Sequence, residues 1–311
     1  MKAWQLIEAK QPLTLKDVEA PTAGPGQVVI NVKAAGLCHT DVSYLDGTLT
    51  HYVGYRPITL GHEIAGTIAS VGEGVTEFSP GQKVAAAGHQ DGPGTRYHGG
   101  FASQVMVPAE LIVPLPDGVP WEQAAPATDA GMTSIHALKV GGVKEGTRLG
   151  IIGAGGLGSL AIQFAVGMGA EVYVAEVNEK VHDTIRGYGD VQVATSITEF
   201  ADKNLEVIVD YAGFGTTTAE AIDVIGDRGT VVQIGLGREH ATISSQAVVL
   251  KQVRYLGSLG GTPEDVADVL DLIAAGKVKS NVTTVTFDEI GDAMARLERG
   301  ELTGRAVALL G

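Results

Sequence analysis

A mostly-β domain joined to a doubly wound parallel α/β domain is the architecture this sequence predicts. Three observations carry the prediction. Short, Gly- and Pro-punctuated apolar runs fill the first 113 residues. A strand–glycine turn–helix–strand unit runs from Arg148 to Glu176. Beyond it, strand and helix patterns keep alternating, as a parallel sheet with crossover helices requires.

From the N-terminus, Ala3 to Glu8, Leu13 to Val18 and Val28 to Ala34 read as strands, the third after the turn 23–27. Gly36 is expected to end that strand. Cys38-His39-Thr40-Asp41 then opens a short helical segment, with Thr40 or Asp41 as a plausible cap. More strands and turns follow from about Ile58 to Val113, and a proline-rich crossing occupies Pro114 to Ala125. A helix from about Glu122 or Thr128 to Val140 leads into the α/β part.

Leu149 to Ile152 is a short apolar run of the length of a buried parallel strand. Gly153, Gly155 and Gly158 spell G-x-G-x-x-G, with Gly156 and Leu157 between the last two. A helical pattern continues to Gly169, and Glu171 to Glu176 is a second strand ending in a carboxylate. The glycines thus sit at a strand-to-helix turn inside a βαβ unit, the context in which the motif binds a dinucleotide. Gly153 suits a positive-φ turn, Gly155 admits a pyrophosphate, and Gly158 lets helix and strand pack closely. The N–H groups and dipole at the helix start favour the phosphate charge. Glu176, 18 residues after Gly158, is placed to accept from both ribose hydroxyls and would repel a 2′-phosphate, which favours NAD(H) over NADP(H). A glycine-rich packing turn is the bland alternative, and strand, helix and acid together outweigh it.

The alternation then continues through Val207 to Asp210, a helix to Ile225 and Gly229 to Gly235. Gly235-Leu236-Gly237 follows a strand end, where ligands of such sheets sit. Val253 to Leu259 is a last strand of this series, and Pro263 to Ala275 reads as a helix.

Composition narrows the function. Hydrophobic residues make up 44% and charged residues 19%, which fits an ordinary globular protein. A net charge of −14 and a pI near 4.9 argue against a nucleic-acid or anionic-membrane surface. No apolar run reaches membrane-spanning length and the first residues lack a signal-peptide core, so a cytoplasmic location is expected. Cys38 is the single cysteine, which excludes a disulfide framework and any four-cysteine zinc module.

Cys38 is followed 24 residues later by His62 in Gly61-His62-Glu63-Ile64-Ala65-Gly66, continuing to Gly72 and Val75. Thiolate and imidazole are good zinc ligands, and a nearby carboxylate can orient or compete for the metal. Singly, a lone cysteine is more often a small buried hydrophobe and a lone histidine a satisfied polar residue. Together with the downstream glycine motif, in this order, they resemble the zinc-dependent medium-chain alcohol dehydrogenases over essentially the whole chain. The resemblance implies a GroES-like β domain carrying a catalytic zinc and a Rossmann dinucleotide-binding domain. The expected division is 1–128 with 263–311 for the first, and 129–262 for the second.

By that resemblance Cys38 and His62 match two zinc ligands, and the third falls at Asp129, which structurally can also be a helix cap. Glu63 resembles the nearby acid that approaches the metal, and Asp41 the carboxylate that orients His62. Thr40 matches the hydroxyl that bonds the substrate alcohol and passes its proton outward. His39 matches a residue that often faces the cofactor pyrophosphate. A relay histidine of some relatives would fall near Ser43, so the proton leaves through Ser43 or through the cofactor ribose and His39. Thr133 matches a residue against the nicotinamide, the backbone around Leu236 and Ser258 the holder of its carboxamide, and Arg305 a contact to the pyrophosphate. A surface arginine on a terminal strand is the alternative for Arg305.

Members with a structural zinc carry a four-cysteine lobe shortly after the Gly-His-Glu motif. The corresponding stretch 85–101 is short and cysteine-free, so one catalytic and no structural zinc is expected, with His89 and His98 as loop residues. The implied reaction moves hydride between a small alcohol, or aldehyde or ketone, and NAD(H). The implied assembly is a homodimer or homotetramer. Two readings compete: a zinc-free quinone or enoyl reductase, which lacks the cysteine and the Gly-His-Glu pair, and a non-catalytic NAD(H)-binding protein.

Overall fold

The computed structural model describes residues 1–302 and 304–311. Its contacts divide the chain into two compact units, Met1–Met132 with Gly260–Gly311, and Thr133–Leu259. Asp129, expected to open the nucleotide domain, lies in the first unit.

The first unit begins with β1 (Lys2–Leu6) and β2 (Thr14–Asp17), then β3 (Gln27–Leu37), which runs straight into helix α1 (His39–Asp46). Short β4 (Ile58–Thr59), β5 (Glu63–Val71), β6 (Lys83–Ala86), β7 (Gln104–Pro108) and β8 (Ile112–Pro114) follow. Helix α2 (Trp121–Pro126) then leads through a π-helical turn, Ala127–Gly131, into α3 (Met132–Gly141).

The second unit alternates as anticipated: β9 (Arg148–Ile152), α4 (Gly158–Gly167), β10 (Glu171–Ala175), α5 (His182–Arg186), β11 (Val191–Ala194) and β12 (Val207–Asp210). Next come α6 (Thr216–Val224), β13 (Thr230–Gln233), α7 (Ser245–Leu250) and β14 (Arg254–Gly257). Its strands form one parallel sheet in the order β11-β10-β9-β12-β13-β14. That is the doubly wound Rossmann order, with the switch point between β9 and β12, where ligands of such sheets bind. Ile152, Tyr173, Phe200 and Ile208 are among its core residues.

The chain returns to the first unit with α8 (Pro263–Ala274), β15 (Val282–Thr286), α9 (Ile290–Glu298) and β16 (Arg305–Leu309). Here β2-β1-β4 make a small sheet, and a seven-stranded sheet runs β15-β16-β3-β5-β6-β8, with β7 also on β3. Alternation along β3 buries Val28, Ile30 and Val32 among Ile64, Ile68 and Phe101.

Register in this sheet decides where chemistry can occur. Gly36 faces Glu63 on β5 and Val307 on β16, so it lies inside β3 rather than ending it. A Cβ on Gly36 would overlap the Glu63 carboxylate, so only glycine admits that side chain here. The end of β3 therefore gathers Cys38, the start of β5 and the start of β16 in one place.

Candidate metal centre

Cys38, His62, Glu63 and Asp129 each present a donor atom, and all four atoms lie within 4.8 Å of one another. They come from three places in the fold: the end of β3, the start of β5 and the π-helical turn. Cys38 is the N-cap of α1: its Sγ accepts from the Thr40 N–H at 3.4 Å, while Asp41 Oδ2 accepts from the Cys38 N–H at 3.1 Å. The cap is thus Cys38, not Thr40 or Asp41; a β-region backbone at the strand end leaves the sulfur facing the helix N–H groups. His62 precedes β5. Asp129 projects from the π-helical turn, the kind of irregularity that re-aims a side chain at a functional site.

Asp129 Oδ2 lies 3.6 Å from both Cys38 Sγ and His62 Nε2. Zinc–sulfur and zinc–nitrogen bonds of ordinary length at tetrahedral angles separate donors by about 3.5 Å. Donor type and spacing therefore suit zinc held by Cys38, His62 and Asp129. Behind the imidazole, Asp41 is fully buried with Oδ1 3.3 Å from His62 Nδ1, which leaves Nε2 for the metal. The Gly61 N–H also reaches Asp41 Oδ1 at 3.4 Å. Burial pushes the His62 imidazole pKa down, but Asp41, Asp129 and Cys38 outweigh it and hold it well above the usual value.

Thr40 Oγ1 lies 3.4 Å from Cys38 Sγ, at the edge of the donor cluster. His39 is exposed on the first turn of α1, and Ser43 Oγ donates to its carbonyl oxygen at 3.1 Å. Surrounding protein and then the Arg305 charge hold the His39 pKa below its ordinary value. Arg305 is buried, 5% exposed, and bonds Glu63 and Asp129, which overturns the surface alternative for it. In the loop after β6, the His98 Nδ1 accepts from the Thr59 N–H and the His89 Nδ1 from the Asp91 N–H. Both histidines serve loop geometry there.

In the second unit Gly153 takes φ +86°, and the N–H groups of Gly155, Gly156 and Leu157 have no intramolecular partner among the described residues. A Cβ on Gly155 would meet nothing within 4 Å. This open, donor-lined helix start suits a pyrophosphate. Glu176 follows β10, and its oxygens accept from the Ala154 N–H at 2.7 Å and the Asn178 N–H at 2.8 Å. Those bonds fix the carboxylate, whose remaining lone pairs are available to a ribose. Ser258 donates its N–H to the Gln233 carbonyl at 3.0 Å, while its buried Oγ has no hydrogen-bond partner among the described residues. Leu236 is 71% exposed, and Thr133 is 7% exposed.

Sequence reasoning did not foresee that Arg305 joins the metal donors. The antiparallel register of β16 on β3 brings it there, and nothing local in the sequence encodes that pairing.

Comparison with known proteins identifies the family. Residues 24–117 match the alcohol dehydrogenase GroES-like domain, and residues 156–275 match the zinc-binding dehydrogenase domain. An alcohol dehydrogenase of Geobacillus stearothermophilus is 32% identical over 99% of both chains. An NAD-dependent alcohol dehydrogenase of Sulfurisphaera tokodaii is 30% identical over 99% of both. Among solved structures, acetophenone reductase from Geotrichum candidum in complex with NAD superposes with a TM-score of 0.91 at 31% identity, covering 99% of this chain and 97% of that one. The chain belongs to the zinc-type medium-chain alcohol dehydrogenase family, oxidoreductases acting on CH–OH groups.

Proposed function

We propose that this protein is a zinc-dependent dehydrogenase that moves hydride between a small primary or secondary alcohol, or the matching aldehyde or ketone, and NAD(H). The convergence of Cys38, His62 and Asp129 donors is the observation that carries the reading. Bound zinc supplies Lewis acidity toward a substrate oxygen, and NAD supplies the carbon that accepts hydride. The chain's own residues do the rest. Thr40 Oγ1 accepts the hydroxyl proton as it releases its own toward His39, the exit: the hydroxyl of Ser43 is engaged with the His39 carbonyl, whereas a lowered pKa keeps the His39 imidazole neutral and able to accept. Gly153, Gly155, Gly156, Leu157 and Gly158 bind the pyrophosphate, Glu176 the ribose, and Thr133, Gly235, Leu236 and Ser258 position the nicotinamide.

The donor set supports one catalytic zinc per chain, and the single cysteine rules out a second site built from four. Glu176 supports NAD(H) as the preferred cofactor. Absorbance at the reduced-nicotinamide band, with zinc-saturated protein and a panel of alcohols, tests the whole reading. Turnover with NAD at least about tenfold faster than with NADP is expected, since a fixed carboxylate repels the 2′-phosphate. No turnover with any alcohol or carbonyl would leave the non-catalytic binding protein; activity independent of zinc with NADPH and quinones would favour the zinc-free reductases.

Among the described residues no helix is long and apolar enough to cross a membrane, and we place the protein in the cytoplasm. Its partner is a second copy of itself. β14 is an edge strand, bonded on one side to β13, and Tyr255 on it is 44% exposed. Val249, Leu250 and Leu259 nearby in the chain are all more than 70% exposed. An uncovered edge flanked by apolar side chains is a surface that strand pairing between copies covers. Light scattering should return a dimer or tetramer mass, and Tyr255→Lys with Leu259→Lys should lower it; a wild-type monomer would refute the assembly.

A further inference from the structure

Glu63 poses a problem for the site. Its carboxylate is fully buried inside the same 4.8 Å donor cluster, so zinc can draw on four protein ligands where an open site uses three. Four ligands leave no position for substrate. Arg305 is the counterweight. Its Nε donates to Glu63 Oε2 at 3.1 Å and its guanidinium also pairs with Glu63 Oε1. Its Nη2 donates to Asp129 Oδ2 at 3.0 Å, and that is the oxygen facing Cys38 and His62. The fork geometry of guanidinium suits this grip on two carboxylates; an ammonium would not match it.

We propose that Arg305 is a positioning residue that keeps the fourth coordination position open. It pins Glu63 in an ion pair, and by sharing Asp129 Oδ2 with the metal it holds zinc less tightly than the bare donors would. This rests on the zinc reading above. The pairing is built into the sheet, since β3 lies between β5 and β16 and Gly36 leaves the space in which Glu63 and Arg305 meet.

The test measures zinc affinity by chelator competition on metal-stripped protein, and the visible spectrum of the cobalt-substituted protein titrated with azide. Wild type should bind zinc and answer azide with a spectral change. Arg305→Gln should bind zinc about tenfold more tightly or better, a size typical of changes just outside the ligand shell, and should lose the azide response because Glu63 fills the position. Adding Glu63→Gln to Arg305→Gln should restore the azide response. Glu63→Gln alone, nearly isosteric and free of any stranded buried charge, should weaken zinc binding about tenfold, since Arg305 then answers to Asp129 alone. Zinc binding no tighter in Arg305→Gln with azide still bound, or unweakened in Glu63→Gln, overturns the inference. Wild-type protein that takes up neither metal overturns the zinc reading, and the inference with it.

Discussion

Cys38→Ala will lose its zinc and its turnover together while NADH still binds. Zinc stabilises the reacting oxygen by several kcal/mol, so the rate should fall by about a thousandfold or more. Cys38 has a second task, however. Its sulfur caps α1 through the Thr40 N–H, and deleting a cap costs about 1 kcal/mol. Alanine therefore mixes a metal effect with a helix effect. Cys38→Ser separates them, because a hydroxyl caps as well as sulfur but is a poor zinc ligand. Elemental analysis should find both variants without zinc, thermal melting should find only the alanine variant destabilised beyond the loss of metal, and NADH fluorescence titration should match wild type for both. A Cys38→Ser protein that retains zinc and full turnover would remove Cys38 from the ligand set.

The fate of individual residues shows what the amino-acid order made legible. The βαβ unit was readable because its signals are local: an apolar run, glycines at fixed offsets and a carboxylate at the next strand end. The observed β9, α4 and β10 lie where those signals put them. Cys38 and His62 were legible as a pair through motif and order, whereas their meeting depends on β3 delivering one and the start of β5 the other. Asp129 was placed by resemblance alone, since a π-helical turn has no sequence signature that separates it from an ordinary helix. The Cys38 cap went unread because cysteine is a poor sequence signal for a cap, and Thr40 and Asp41 beside it are good ones. Arg305 was the least legible. The resemblance gave it a pyrophosphate contact, with a surface position as the alternative, and neither shows the pairing between residues 242 positions apart that brings it to Glu63.

Gly155→Ala and Gly158→Ala will fail in opposite ways, and the contrast tests the cofactor site without any assay of the reaction. Both glycines belong to one motif, yet their surroundings differ. A methyl on Gly155 would meet no protein atom within 4 Å, whereas one on Gly158 would overlap the Gly153 carbonyl. Gly155→Ala should therefore melt within a degree or two of wild type. It should lose NADH affinity by about tenfold to a hundredfold, because the new methyl fills space meant for the pyrophosphate at a cost of about 1–3 kcal/mol. Gly158→Ala should instead destabilise the second unit by about 3 kcal/mol, lowering its melting temperature by roughly 10 °C, because helix and strand must separate. Weakened NADH binding there follows from disorder and should be partly recovered at low temperature, while that of Gly155→Ala should not. If Gly155→Ala binds NADH as well as wild type does, the pyrophosphate does not approach this turn, and the helix start would have to be read as a packing element.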